Sequence, residues 1–302
     1  MGILHLIEKI RTPVLDEIML KLTALGDEIP LIVVALLFFW CIDKRKAYYI
    51  ISIGFLGLLT NQFLKMLCRV PRPWLRDPGL HTVEAAKEGA GGYSFPSGHS
   101  QNSVGIFGGI AAIEKNKLVR ILSVAICILV PFTRLYLGVH TPADVLAGSA
   151  MAVALILIMR PLIFGNNGKN VPFVLIFMTV LSLVYLAFVY IWPNFVEITE
   201  DNFYSALKNA YTMVGCLFGF LLAYFADTKW IRFPVKTVWW AQIIKITFGL
   251  LIVLAVRKGL SAPLAHVFGE YPGRMVRYFI IVVVAGVVWP LVFRFFPERK
   301  RG

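Results

Sequence analysis

Acidic residues are scarce in this sequence of 302 residues, which contains 17 Asp and Glu against 30 Lys and Arg. Charged residues make up only 16% of the chain, whereas soluble domains average roughly 25%. In a soluble protein, a net charge of +13 would suggest nucleic-acid binding. Membrane proteins, however, concentrate Lys and Arg in their cytoplasmic loops. We therefore predict no nucleic-acid partner.

Cysteines are few and widely separated, which excludes two further classes of protein. No Cys-x-x-Cys pair occurs, so neither a disulfide framework nor a zinc site is indicated. No set of Cys, His and carboxylate residues has the spacing of metal ligands. We expect no metal or other cofactor. The cysteines are Cys41, Cys68, Cys127 and Cys216.

Apolar residues, in contrast, make up 58% of the chain, and the mean hydropathy is +0.75. A membrane-spanning helix needs about 20 apolar residues, so the composition predicts an all-α, polytopic membrane protein with about nine transmembrane helices. A Pro- and Gly-rich loop over residues 69–96 interrupts the pattern. The predicted segments are 28–42, 47–67, 98–113, 118–138, 143–164, 171–192, 204–226, 239–256 and 276–296.

The first 27 residues have a different pattern, with apolar residues at three- and four-residue spacing and charges between them. This pattern predicts an amphipathic helix lying along the membrane surface, without a cleavable signal peptide. Thr12-Pro13 is expected to divide it, with Thr12 as the cap of a second helix. We predict three regions: 1–27 interfacial, 28–165 the catalytic core, and 166–302 additional transmembrane helices of unassigned role.

Basic residues occur in similar numbers on the two membrane faces when the segments alternate in direction, but one face also carries most of the acidic residues. Because Lys and Arg are retained on the cytoplasmic side, the face whose basic turns contain few acids, here called the basic face, is predicted to be cytoplasmic, in the cell (inner) membrane. The opposite face, with the N-terminus and the 69–96 loop, is predicted to be periplasmic. The basic face collects Lys44, Arg45, Lys46, Lys115, Lys117, Arg120, Lys169, Lys229, Arg232, Lys236 and the tail Arg299–Arg301.

Three polar clusters fall at segment ends on the predicted outer face. Taken singly, each has an ordinary explanation, such as a lysine at a helix end or a serine helix cap. Together they supply three cations, two histidines and an aspartate beside a helix N-terminus, where free N–H groups favour anions. The clusters are Lys65-x6-Arg72-Pro73, Pro96-Ser97-Gly98-His99 and Arg134-x5-His140-x3-Asp144.

This combination of residues indicates phosphoryl transfer without metal. Arg offers planar bidentate donors and Lys a compact charge, and both suit phosphate oxygens. A histidine then remains as the nucleophile. The sequence leaves two arrangements open for His140 and Asp144. On one continuous helix they would share a face, or Thr141-Pro142 could begin a new helix with Asp144 in its first turn.

The three clusters together resemble the signature of the type-2 phosphatidic acid phosphatase superfamily, which also includes glucose-6-phosphatases and vanadium haloperoxidases. Thr133 departs from the Ser usual before the arginine, but keeps a hydroxyl. The resemblance implies a lipid phosphate or prenyl diphosphate phosphatase. It implies His140 as nucleophile, Asp144 as its orienting carboxylate and His99 as general acid and base. The resemblance also implies that the phosphate is bound by Lys65, Arg72, Ser97, Gly98 and Arg134.

The sequence leaves open two alternatives to a lipid phosphatase. A soluble sugar phosphate could be the substrate, as in the glucose-6-phosphatase branch. A non-enzymatic lipid carrier or scramblase could retain the fold, and Lys245 within the eighth segment could suggest transport. The intact histidine pair disfavours the carrier, since carrying a lipid needs no nucleophile. The expected partners are a lipid phosphate substrate and membrane lipids, with no obligate protein partner.

Overall fold

The computed structural model describes residues 1–298, and helices dominate this range. The prediction of an all-α fold is confirmed. Thr237 and Glu298 form an isolated β-bridge. The predicted basic tail Arg299–Arg301 lies outside the described residues.

The helices follow one another along the chain with short connections. The first seven are α1 Gly2–Glu8, α2 Pro13–Thr23, α3 Glu28–Leu37, α4 Lys44–Cys68, α5 Pro73–Arg76, α6 Glu84–Glu88 and α7 Gly98–Ile113. The second seven are α8 Lys117–Tyr136, α9 Pro142–Phe164, α10 Val171–Ile191, α11 Glu200–Ala226, α12 Trp239–Gly259, α13 Ser261–Phe268 and α14 Glu270–Val283.

In the part of the chain that the structure describes, seven helical stretches are long and apolar enough to cross a membrane. The number is eight if Pro13–Gly26 and Glu28–Ile42, which are bent by 46°, form one span. The predicted count of nine is therefore not confirmed. The remaining predicted segment is α7, which has 16 residues and extends roughly 24 Å, short of a hydrocarbon core of about 30 Å.

The chain divides into two compact units. The first unit comprises residues 1–32, 53–161 and 197–206, and it contains all three motif clusters. The second comprises residues 33–52, 162–196 and those from 207 onward. In the second unit, Lys44 and Asp227 form a partly buried ion pair at 2.7 Å. Lys245, which the transport alternative singled out, donates to the carbonyl of Pro234 at 2.8 Å. The predicted three-region division stays a prediction.

The N-terminal segment forms two helices that are joined as the sequence predicts. Thr12 caps α2 by accepting a hydrogen bond from the Leu15 amide, and Pro13 occupies the first turn. An apolar cluster packs these helices against the 69–96 loop and the end of α8. Asp16 adds a hydrogen bond of 2.9 Å to the hydroxyl of Tyr136. The segment is thereby attached to the unit that holds the motifs.

Candidate active site

The first cluster lies where α4 gives way to α5. Lys65 is in the last turn of α4, and Arg72 is the residue before Pro73, which opens α5. Arg69 turns the chain between them with a positive φ of 50°. Both Lys65 and Arg72 are buried, so each needs partners to offset the loss of hydration.

Backbone carbonyls of the 69–96 loop supply those partners. Arg72 donates from Nε to Gly92 at 2.9 Å and from Nη2 to Gly91 at 2.8 Å. Lys65 Nζ donates to the carbonyl of Tyr93. The loop therefore presents three consecutive carbonyl oxygens to two cations that the sequence assigned to phosphate.

The third cluster contains a helix start, which decides between the two arrangements left open above. α9 begins at Pro142, with Asp144 in its first turn. The Thr141 amide donates to Asp144 Oδ2 at 2.7 Å, and the Asp144 amide donates to Thr141 Oγ1 at 3.3 Å. This reciprocal pair is a capping box. It fixes the Asp144 carboxylate beside His140, which precedes the cap.

The two ring nitrogens of His140 have different surroundings. Arg72 Nη1 lies 2.9 Å from Nε2, and because arginine only donates, Nε2 carries the lone pair. Nδ1 lies 3.4 Å from Ser94 Oγ and 3.5 Å from Asp144 Oδ2. Ser94 in turn donates to Asp144 at 2.7 Å. The hydroxyl of Ser94, which the sequence analysis did not single out, thus connects His140 to Asp144.

The His140 imidazole is neutral in this environment. Its pKa lies well below the ordinary value, first because burial penalises the charged form, and then because Arg72, Arg134 and Lys65 repel a positive charge. A neutral ring with an unprotonated Nε2 has the lone pair that a nucleophile requires.

The second cluster begins α7. Ser97 is its N-cap, and its hydroxyl accepts hydrogen bonds from the amide and hydroxyl of Ser100. The predicted phosphate ligand Ser97 is therefore engaged in capping. Gly98 opens the helix, so the first-turn amides and the helix dipole are available to an anion. A Cβ at Gly148 of α9 would lie 2.5 Å from the Ser97 carbonyl oxygen, so only glycine permits this packing.

Arg134 lies near the end of α8 and is buried. Its Nη1 donates to Thr23 Oγ1 at 2.9 Å. Among the described residues, neither its Nε nor its Nη2 has a hydrogen-bond partner. Buried donors are normally satisfied, so these two atoms are suited to an anionic ligand.

The turn between α2 and α3 also contributes to this region, which the sequence analysis did not predict. Asp27 Oδ1 lies 2.7 Å from His99 Nε2. Next to it, a Cβ on Gly26 would approach the His99 side chain to 3.3 Å. The N-terminal segment, which was predicted to be interfacial only, thus forms part of the candidate site. The amphipathic pattern of the segment could not predict this contact, because the pattern does not indicate which distant residues the segment packs against.

A single cavity of about 170 Å³ joins these elements. It brings together six of the eight predicted site residues, whereas Ser97 and Asp144 are not among the residues that line it. Asn61, Gln62 and Asn102 add amide groups to its lining. The predicted residues in the lining are Lys65, Arg72, Gly98, His99, Arg134 and His140.

Two family models match the chain. The model of the PAP2 superfamily covers residues 45–168, and that of the PAP2 superfamily phosphatase transmembrane extension covers residues 211–301. Phosphatidylglycerophosphatase B of Bacillus subtilis is 32% identical over 165 residues, which are 50% of this chain and 76% of that protein. The chain belongs to the PAP2 superfamily.

Further relatives place this PAP2 protein among membrane lipid phosphatases. Undecaprenyl-diphosphatase BcrC of Bacillus subtilis is 31% identical, over 46% of this chain and 70% of that protein. Sphingosine-1-phosphate phosphatase 1 of Mus musculus is 23% identical, over 90% of this chain and 70% of that protein. The predicted family and enzyme class are therefore confirmed: the chain is a membrane phosphatase of the PAP2 family. The extension model matches the region whose role the sequence left unassigned.

Proposed function

We propose that this PAP2 protein hydrolyses a lipid phosphate through a covalent phosphohistidine on His140. The surroundings of its two ring nitrogens support the proposal most strongly. Nε2 is unprotonated and adjoins Arg72, whereas Nδ1 is directed towards Ser94 and Asp144. This arrangement orients the imidazole and stabilises the positive charge that develops when Nε2 forms a bond to phosphorus.

Three cations and a helix N-terminus would bind the phosphate. Arg134 offers two donors that have no partner among the described residues. When phosphate binds, Lys65 and Arg72 replace their hydrogen bonds to the carbonyls of residues 91–93 with hydrogen bonds to phosphate oxygens. Because Arg72 then no longer donates to His140 Nε2, the lone pair of that nitrogen becomes free. Stabilising the charge of the equatorial oxygens is expected to be the largest catalytic contribution.

The reaction has two steps. In the first, His140 Nε2 forms a bond to phosphorus while the bond to the leaving oxygen breaks, and His99 donates a proton to that oxygen. In the second, His99 removes a proton from water, whose oxygen attacks phosphorus. The phosphorus–nitrogen bond then breaks and inorganic phosphate is released.

We propose a lipid as the substrate, with its apolar chain in the bilayer and its phosphate in the cavity. The relatives named above act on phosphatidylglycerophosphate, undecaprenyl diphosphate and sphingosine 1-phosphate. The test is phosphate release by purified protein from these three lipids, phosphatidate and glucose 6-phosphate. We expect one or more lipids to be preferred over the sugar phosphate. Faster release from glucose 6-phosphate would contradict the choice of a lipid.

Activity is expected to survive EDTA and to be inhibited by vanadate. The proposed site neutralises the phosphate with Lys65, Arg72 and Arg134 rather than with metal ions. Vanadate can adopt the five-coordinate geometry of the reacting phosphorus. Phosphate release measured with and without chelator checks the first expectation. Loss of activity in EDTA that magnesium restores would contradict it.

We further propose that the site faces the periplasm, because basic turns such as the one around Lys115 follow the opposite ends of the helices. Glu88 is exposed near the site, and Lys115 is exposed just before α8, a candidate span whose other end carries Arg134, so the test uses Glu88→Cys and Lys115→Cys. Both changes are made in a Cys68→Ser background, because Cys68 is itself exposed.

An impermeant thiol reagent applied to intact cells is expected to label Glu88→Cys and to leave Lys115→Cys unlabelled until the membrane is permeabilised. The matched pair controls for reactivity, since both positions are exposed and belong to the same compact unit. The reverse labelling pattern would place the site on the cytoplasmic side.

A further inference from the structure

Asp27 contacts the proposed acid–base residue from outside the signature motifs. Its Oδ1 lies 2.7 Å from Nε2 of His99, a residue 72 positions away along the chain. Gly26 allows this approach, because a larger residue there would crowd the side chains of Val130 and His99. The turn between α2 and α3 is therefore built closely against the His99 ring.

This contact indicates which ring nitrogen of His99 carries a hydrogen in the neutral state. An ionised carboxylate only accepts hydrogen bonds, so Nε2 carries the hydrogen and Nδ1 is left as the nitrogen that exchanges a proton. We infer that Asp27 is a positioning residue for His99, which holds the ring by Nε2 and leaves Nδ1 for the leaving-group oxygen. The inference rests on the proposed function, because it gives His99 the proton transfers.

The proton balance follows from that arrangement. In the first step, the hydrogen on Nδ1 moves to the leaving oxygen as the bond from that oxygen to phosphorus breaks. In the second, Nδ1 takes a proton from the attacking water. Asp27 keeps its charge throughout and stabilises the imidazolium, as a carboxylate does in a hydrolase triad.

The other charged groups around His99 make such a partner necessary. Arg134 on α8 and Arg72 before α5 both oppose a positive charge on the ring. Lys65 and His140 line the same cavity, as does Glu28 at the start of α3. Asp27 is the group in direct hydrogen-bond contact with the ring. If Asp27 lost its charge, the protonated His99 ring would still be repelled by the two arginines but would lack the negative charge of the carboxylate that contacts it.

Attachment of the N-terminal segment does not depend on Asp27. Asp16 bonds the hydroxyl of Tyr136 at 2.9 Å, and Arg11 Nε donates to the Tyr136 carbonyl at 2.6 Å. Removing the Asp27 charge therefore tests its effect on His99 rather than docking of the helices. Glu17→Gln is the matched control, since it also converts a carboxylate to an amide on the same segment, at an exposed position outside the cavity.

The experiment measures kcat, KM and the pH profile of Asp27→Asn in the full chain. On a lipid phosphate, kcat is expected to fall about 10–100-fold, part of the roughly 10²–10⁴-fold that proton transfer contributes. KM should change little, because Asp27 is not assigned to the phosphate. The alkaline limb of kcat should move to lower pH by about one unit, as loss of a nearby opposite charge predicts. Asp27→Glu should recover part of the activity, and Glu17→Gln should match wild type.

A double-mutant cycle with His99→Ala separates positioning from a structural role. If Asp27 acts through His99, Asp27→Asn causes no further loss once His99 is absent. An equal loss in both backgrounds, or an unchanged pH profile, would overturn the inference while leaving the phosphatase proposal intact. Failure of the wild-type protein to release phosphate from any ester would instead refute the proposed function.

Discussion

His140→Ala is expected to release no phosphate from any substrate, whereas His99→Ala should still react with an aryl phosphate. His140 is the proposed nucleophile, so its loss removes the only route through a phosphohistidine, whatever the leaving group. His99 supplies a proton instead, which typically contributes about 10²–10⁴-fold. A lipid alkoxide leaves poorly unless protonated, but an acidic phenol needs little assistance.

The measurement is trapping of the phosphohistidine after rapid mixing with each substrate. His99→Ala should accumulate phosphoenzyme from the aryl phosphate and far less from the lipid, because its second step also lacks a base. His140→Ala should trap none from either. Trapping by His140→Ala together with none by His99→Ala would reverse the two roles.

Binding of vanadate checks that both variants keep a folded cavity. Both variants keep Lys65, Arg72 and Arg134 in the cavity, so vanadate should still protect each protein against thermal unfolding. A further control is Ser94→Ala, which removes the hydroxyl between His140 Nδ1 and Asp144 but leaves the nucleophile. It should slow phosphoenzyme formation without abolishing it.

Most of the fold and motif positions followed from the sequence, because they depend on local patterns. Apolar runs predict membrane helices whatever their partners, and Thr12-Pro13 predicts a helix start from capping chemistry alone. The count of spans did not follow, because α7 is apolar but short. The predicted segment 98–113 already had 16 residues, fewer than the about 20 of a typical span, and the count of nine included it on composition alone.

The candidate site was predictable only where it lies in the motifs. The clusters around Lys65, His99 and His140 are short continuous stretches. Each can therefore be recognised from the sequence as a group of polar residues at the end of a helix. Asp27 and Thr23 belong to another segment, and their contacts with His99 and Arg134 arise from tertiary packing. Ser94 could have been found, since it lies three residues before Ser97, but a single serine in a loop carries little signal.

The sequence also could not tell which ligands were already satisfied. Ser97 was predicted to bind phosphate, which stays a prediction, and its hydroxyl also accepts two hydrogen bonds from Ser100 at the start of α7. Arg72 and Lys65 are held by loop carbonyls, whereas Arg134 keeps two unpaired donors in the part of the chain that the structure describes. Which donors already have hydrogen-bond partners can be read only from the folded structure. Among the three cations, Arg134 is the one that has donors without partners among the described residues.

Arg134→Gln is therefore expected to reduce kcat about 10²–10³-fold, which is typical for loss of one donor that stabilises transition-state charge. Arg134→Lys should lose nearly as much, because one ammonium cannot replace two donors in fixed planar geometry. Vanadate inhibition should weaken in both variants, since the same donors would bind the vanadate oxygens. Activity and the inhibition constant, measured side by side, check the two effects.

Arg120→Gln is the matched control, because Arg120 is an exposed arginine on the same helix, α8. It makes the same charge change outside the cavity and should leave both readouts unchanged. Thr23→Val removes the acceptor of Arg134 Nη1, so it should reduce kcat modestly by loosening the guanidinium. If Arg134→Gln lowered thermal stability while vanadate inhibition stayed at the wild-type level, Arg134 would be a structural cation, and phosphate binding would rest with Lys65 and Arg72.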